Sequence, residues 1–255
     1  DKGTWWVAGT FPLSGTMTKK QFADLLGGIG NEIDGNLSIK PKSMIAEGDR
    51  VVLMMRNRWE FHVADIGVLA AGATPISVYN SSSPDQIGYL VGHCKARVAI
   101  VDDGDFVERV LAAAPECPLL ETVVVLDDAP AGTEPWQRLL DGDPVDLVAA
   151  EAASATATML PGLSPSGTTG PPKGVMLSHT NVLAAVTAFS SYNGRETDEG
   201  RRLISYLPMA HIAERMVTHY SALLRGSQVV PCPDIARMTE YLVAVHPSAL
   251  FGPPR

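Results

Sequence analysis

The chain has 255 residues, enough to bury a sizeable core as one large domain or two smaller ones. Hydrophobic residues make up 45% and charged residues 19%, the balance of a globular protein, which excludes disorder of the whole chain. A formal net charge of −8 with scattered basic residues offers nucleic acid no electrostatic footprint, and no Lys/Arg run marks a polybasic membrane patch.

The first fifty residues carry the weakest pattern: a short helix is expected from Thr18 to Leu26, broken by Gly27-Gly28-Ile29-Gly30. Val51–Met55 is a continuous apolar run, as expected of a strand covered on both faces. Glu60–Ala71 has helical spacing, with Phe61, Ala64, Val68 and Ala71 on one side. The apolar stretch from Phe61 to Tyr79 is interrupted by His62, Asp65 and Pro75, so it reads as helix then strand and not as a bilayer span. Thr74–Tyr79 is the expected strand, and Ser83-Pro84-Asp85-Gln86 the start of a helix with proline in its first turn.

Further along, strands are expected at Arg97–Val101 and Thr122–Leu126, with a helix at Phe106–Ala113 between them. Such alternation argues for parallel strands in a layered α/β fold, because parallel neighbours need crossover connections. Asp127–Ala157 reads as a surface connection around one short helix at Trp136–Leu140, and is the candidate subdomain boundary. Helices are then expected at Asn181–Ser190, His211–Leu224 and Ile235–Val245, and strands at Arg202–Leu207, Gln228–Val230 and Ser248–Phe251. Cys94, Cys117 and Cys232 are far apart with no CxxC spacing, which predicts unrelated thiols in a reducing, cytoplasmic setting.

The chemistry concentrates between Ser166 and Gly174. Gly167, Gly170 and Gly174 let backbone N–H groups approach an anion; Ser166, Thr168 and Thr169 add hydroxyl donors; Lys173 adds a point charge. A Walker A loop needs Lys followed by Ser or Thr, whereas Lys173 precedes Gly174, and the dinucleotide fingerprint is absent too. What remains is another kind of phosphate-holding loop, weighed against a plain flexible surface loop.

Ser166 to His179, SGTTGPPKGVMLSH, resembles the phosphate-loop motif of the adenylate-forming superfamily of acyl-CoA synthetases, adenylation domains and luciferases. The family usually has Thr where Pro165 stands and often an aromatic where Ser164 stands, so one hydroxyl is missing at the loop entrance. Leu207 to Arg215 resembles the LP-x-x-H-x-x-ER segment of long-chain fatty acyl-CoA synthetases, in which the residue at the His211 position lines the adenylate and acyl pocket. Without the resemblance His211 reads as a capping residue, and Glu214 and Arg215 as helix-surface ion-pair formers.

The resemblance implies the incomplete N-terminal domain of an adenylate-forming enzyme, with layered parallel sheets flanked by helices and the nucleotide at a subdomain junction. The expected organisation is a poorly matching segment 1–47, a first α/β subdomain 48–150, and a phosphate-loop subdomain 151–255 that ends before the family's later motifs. It further implies a long-chain fatty acid–CoA ligase using ATP, Mg2+ and coenzyme A, with Ser166, Gly167, Thr168, Thr169, Gly170 and Lys173 on the phosphates and His211 catalytic. No metal ligand is singled out. A fatty acyl-AMP ligase, another acid–thiol ligase and a non-catalytic nucleotide- or acyl-binding remnant are the alternatives. The chain alone is expected not to complete acyl adenylation, and membrane contact is expected to be peripheral at most.

Overall fold

The computed structural model of the protein describes residues 4–7, 15–18, 44–141, 159–164, 173–192 and 200–252. Near the start, β1 (Thr4–Val7) and β2 (Gly15–Thr18) form an antiparallel hairpin. Thr18 is therefore in a strand and does not open a helix; the rest of that expected helix lies outside the described residues.

The next unit is a five-stranded sheet built from β3 (Arg50–Met54), β4 (Thr74–Ser77), β5 (Val98–Val101), β6 (Thr122–Val125) and β7 (Glu134–Pro135). All pairings are parallel and the order is β4-β3-β5-β6-β7. Counted by themselves the strands run 2-1-3-4-5, a doubly wound order whose direction switches between β3 and β5. Strand side chains alternate between faces, so both faces of this sheet must be covered by helices.

On one face Val51, Leu53, Val98 and Ile100 pack under α1 (Trp59–Ala70) through Phe61, Ala64 and Val68. Leu139 of the short α4 (Gln137–Leu140) joins the same cluster. On the other, Val52, Met54, Ala99 and Val101 pack under α2 (Pro84–Cys94) and α3 (Asp105–Ala113) through Ile87, Val91, Phe106 and Val110. Ser83 starts α2 with a full capping box: Gln86 N donates to Ser83 Oγ (3.4 Å) and Ser83 N to Gln86 Oε1 (3.0 Å). Behind α1, Gly72 takes φ +72° to turn the chain back into β4, and a Cβ there would sit 3.1 Å from Glu47 Cγ.

Beyond this sheet, β8 (Met159–Ser164) and β9 (Lys173–Ser178) form an antiparallel hairpin that lies against β4. Helix α5 (His179–Tyr192) follows directly, starting two residues earlier than Asn181. Then β10 (Arg202–Ser205) and β11 (Gln228–Pro231) pair in parallel, joined by a helical crossover. That crossover is not one regular helix. A turn of α-helix, α6 (Ile212–Glu214), passes into a π-helical stretch, Arg215–Tyr220, and returns to α-helix in α7 (Ser221–Arg225).

The region expected as a helix over Ile235–Val245 opens with a 3-10 turn, Ile235–Arg237, before α8 (Met238–Val245). The expected strand at Ser248–Phe251 does not form. Ser248 N donates to Arg202 O (2.8 Å), but no ladder continues from that bond. The Phe251 carbonyl instead accepts the Tyr206 hydroxyl (2.8 Å).

Candidate active site

In parallel sheets ligands bind beyond the carboxyl ends of the strands. Here the carboxyl ends of two such sheets meet. Asn57, three residues past β3 and 4% exposed, donates from Nδ2 to Ser205 Oγ (2.8 Å) at the end of β10 and to Leu207 O (2.8 Å) just beyond it. One amide thus fastens the carboxyl ends of the two sheets together, and its truncation would leave the part-buried Leu207 carbonyl and Ser205 Oγ without that donor. The switch point itself is filled by protein. Arg58 Nη1 donates to Asp102 Oδ1 (2.7 Å) and Asp127 Oδ2 (2.9 Å), and Arg56 pairs with Asp102 and Asp103. These three carboxylates lie close enough to share a cation, and Arg56 and Arg58, the latter also paired with Glu60, compensate part of their charge.

From Leu207 the chain turns sharply through Pro208, whose carbonyl accepts from His211 N (2.8 Å), and buries Met209 in the core under α1. His211 is the N-cap of α6: its Nδ1 accepts from Ala213 N (3.2 Å). An acceptor nitrogen carries no proton, so the neutral ring holds its proton on Nε2 and offers that atom as a donor. Both readings of His211 made from the sequence are compatible with this geometry, since capping uses one nitrogen and leaves the other. His211→Asn is expected to keep the cap and stay within about 0.5 kcal/mol of the parent, while His211→Ala loses about 1 kcal/mol, read by chemical denaturation.

Glu214 and Arg215 are not a helix-surface ion pair. Both are buried, at 0% and 2% exposure, and they point to different partners. Glu214 Oε1 accepts from Tyr206 N (3.1 Å) and Thr218 Oγ1 (2.9 Å), tying the end of β10 to the crossover. Burial pushes the Glu214 carboxyl above its ordinary range, against hydrogen bonds from Ser205, Thr218 and the amides of Tyr206 and Leu207.

Arg215 reaches instead to α1, pairing with Asp65, donating to Tyr220 Oη (2.6 Å) and to Ser77 Oγ (3.0 Å) at the end of β4. His219 Nε2 lies 2.9 Å from Asp65 Oδ2, and His219 Nδ1 lies 2.7 Å from His62 Nδ1. Burial pushes the Asp65 carboxyl up, but the Arg215 charge and the His219 hydrogen bond outweigh it and hold it below the usual range. An ionised Asp65 accepts from His219 Nε2. One proton lies between His219 Nδ1 and His62 Nδ1, and the buried His62 Nε2 has no partner among the described residues.

Of the loop residues, Ser166, Gly167, Thr168, Thr169 and Gly170 lie outside the described residues, as does Pro165. Their flanks are described: Ser164 and Lys173 are paired at the loop end of the β8–β9 hairpin, so the two ends of the loop are adjacent. Strand β9, which the sequence did not suggest, leads out of the loop, and the helix expected from Asn181 follows it as α5. The sequence missed Asn57 and Asp65 as site-organising residues. For Asp65 a signal existed, a carboxylate between Phe61 and Val68 on the apolar side of a helix.

Residues 42–255 match the family described as AMP-binding enzyme. Among curated relatives, the long-chain-fatty-acid–CoA ligase FadD15 of Mycobacterium bovis is 27% identical over 215 residues, covering 83% of this chain and 35% of the relative. The long-chain-fatty-acid–CoA ligase ACSBG1 of Rattus norvegicus is 30% identical over 220 residues, covering 80% of this chain and 30% of that protein. The chain therefore spans about a third of the length of the curated relatives it matches.

Solved structures agree on the fold. The N-terminal domain of FACL13 from Mycobacterium tuberculosis superposes with a TM-score of 0.70 at 22% identity, covering 95% of this chain and 57% of that one. A benzoate CoA ligase from Burkholderia xenovorans gives 0.72 at 18% identity, covering 98% and 46%. With more than four-fifths of its residues inside the family match, the chain belongs to the AMP-binding enzyme family and has the parallel, helix-flanked architecture of adenylate-forming enzymes.

Proposed function

We propose that the chain is part of an ATP-dependent, AMP-forming acyl-CoA ligase that activates a long-chain fatty acid. The observation that carries this reading is His211, in a segment of the form LP-x-x-H-x-x-ER, with a donor Nε2–H beside the meeting carboxyl ends of two parallel sheets. The names of the FadD15 and ACSBG1 relatives favour a fatty acid over the aromatic acid of the benzoate ligase.

In the proposed reaction a carboxylate oxygen of the acid attacks the α-phosphate of Mg·ATP. The bond to the β-phosphate breaks, pyrophosphate leaves, and an acyl-adenylate remains; the thiol of coenzyme A then displaces AMP. The chain's task in the first step is electrostatic. Ser166, Gly167, Thr168, Thr169, Gly170 and Lys173 would hold the β- and γ-phosphates, and His211 would donate to an oxygen of the acyl-adenylate. Segments 48–150 and 151–255 are proposed as the two subdomains flanking the nucleotide. No helix among the described residues is long and apolar enough to cross a membrane. The three free thiols support a cytoplasmic setting.

Titration of the chain with two hydrolysis-resistant adenylate analogues, palmitoyl- and benzoyl-sulfamoyl adenosine, tests the acid class. A fatty-acid site binds the palmitoyl compound at least about 10-fold more tightly, since each buried CH2 adds about 0.8 kcal/mol. Equal affinity, or preference for benzoyl, would move the assignment to another acid.

A further inference from the structure

Arg215 stands where the crossover helix changes from α to π, and its amide donates to the His211 carbonyl (3.3 Å). Its side chain and that of Tyr220 both grip Asp65. In an α-helix residues five apart lie roughly 140° apart around the axis and cannot meet on one acceptor. The wider π turn, with i→i+5 hydrogen bonding, brings them to one side. The joint grip on Asp65 therefore depends on the π conformation and favours it over α. If the stretch relaxed to α-helix, the segment before it would advance by one residue, moving the His211 ring by about 1.5 Å and turning it by roughly 100°.

We propose that Asp65 and Arg215 are positioning residues for His211, holding the crossover in its π form so that the His211 Nε2–H faces the site. The significance of that position rests on the reading of His211 as a pocket residue. A buried ion pair is weak as a source of stability, and apolar replacement of both partners is often neutral. That the pair costs solvation and yet spans α1, β4 and the crossover fits a role in fixing one geometry.

The test uses the full chain with the paired substitution Asp65→Leu/Arg215→Met, and Arg215→Lys as a second variant that keeps the charge but cannot reach Asp65, Tyr220 and Ser77 together. The melting temperature, the 15N signals of the His211 ring and the affinity for palmitoyl-sulfamoyl adenosine are measured. The expected result is a folded paired variant whose His211 ring signals shift from the parent's as the ring leaves its place, the local Ala213 cap travelling with it, and whose affinity falls at least about 10-fold. The Arg215→Lys chain should show the same spectral change. Either variant folding with a parent-like His211 spectrum and affinity overturns the proposal and leaves the cluster a structural staple. If the parent itself fails to bind the analogue, the pocket reading falls, while the His211 spectra still decide the positioning claim.

Discussion

Replacing Arg215 alone with methionine is expected to cost about 3–5 kcal/mol of stability, because it leaves the Asp65 carboxylate buried without its cation. Asp65 is 0% exposed, and among the described residues Arg215, His219 and Tyr220 hydrogen-bond to its oxygens. At about 2–4 °C per kcal/mol for a chain of this size, the melting temperature should fall by about 6–20 °C. Asp65→Leu alone should be comparably damaging, since it strands a guanidinium that is 2% exposed. The two single losses should not add: the paired substitution leaves neither charge buried alone, so it should recover most of the stability. A loss below 1 kcal/mol in Arg215→Met would show that the ion pair is not the organising contact between α1 and the crossover.

Acid sensitivity is the second large effect. Burial, and then the neighbouring His219, push the His62 imidazole down to about 3 from its ordinary 6.5, with Asp65 pulling weakly the other way. A group with a depressed folded pKa stays neutral in the native state while the unfolded chain takes up its proton. Stability is therefore lost as pH falls from about 6.5 toward 3, at about 1.4 kcal/mol per unit. By pH 5 the loss should approach 2 kcal/mol. Asp65, held low, adds to the loss only below its unfolded value of 3.8. Glu214, held high, opposes it, since its folded form keeps a proton to higher pH and is favoured as the solution becomes acidic.

His62→Asn separates these contributions. Its amide can donate to or accept from His219 Nδ1 in place of the imidazole, yet it does not titrate. Denaturant unfolding at pH 7.5, 6, 5 and 4.5 should show a steep limb for the parent and a flattened one for His62→Asn. Parallel slopes in the two proteins would remove His62 as the cause.

Much of the sheet was legible in the sequence because its signals are local. The run at β3 and the Ser83-Pro84-Asp85-Gln86 cap need only propensity and hydrogen-bonding rules, and both elements formed where they were read. The misses have physical reasons. Pro161 and Gly162 in β8 weaken any strand pattern, and β7 is two residues ending in proline, so neither rose above its surroundings. The π stretch was invisible because its cause, Asp65, sits 150 residues away on α1. Periodicity over His211–Leu224 reports apolar spacing and cannot report a long-range ion pair. The same holds for Asn57, whose two acceptors lie on another sheet. For the site, the sequence named the loop and His211, while the contacts that place His211 came only from tertiary structure.

Calorimetric titration with Mg·ATP tests most directly whether the loop from Ser166 to Gly174 holds nucleotide phosphates, as proposed. The parent chain should bind saturably, and Lys173→Ala about 10- to 100-fold more weakly, the loss of one charge-assisted contact. A parent chain that takes up no Mg·ATP, or a Lys173→Ala chain that binds it equally well, would show that the loop is not the phosphate site.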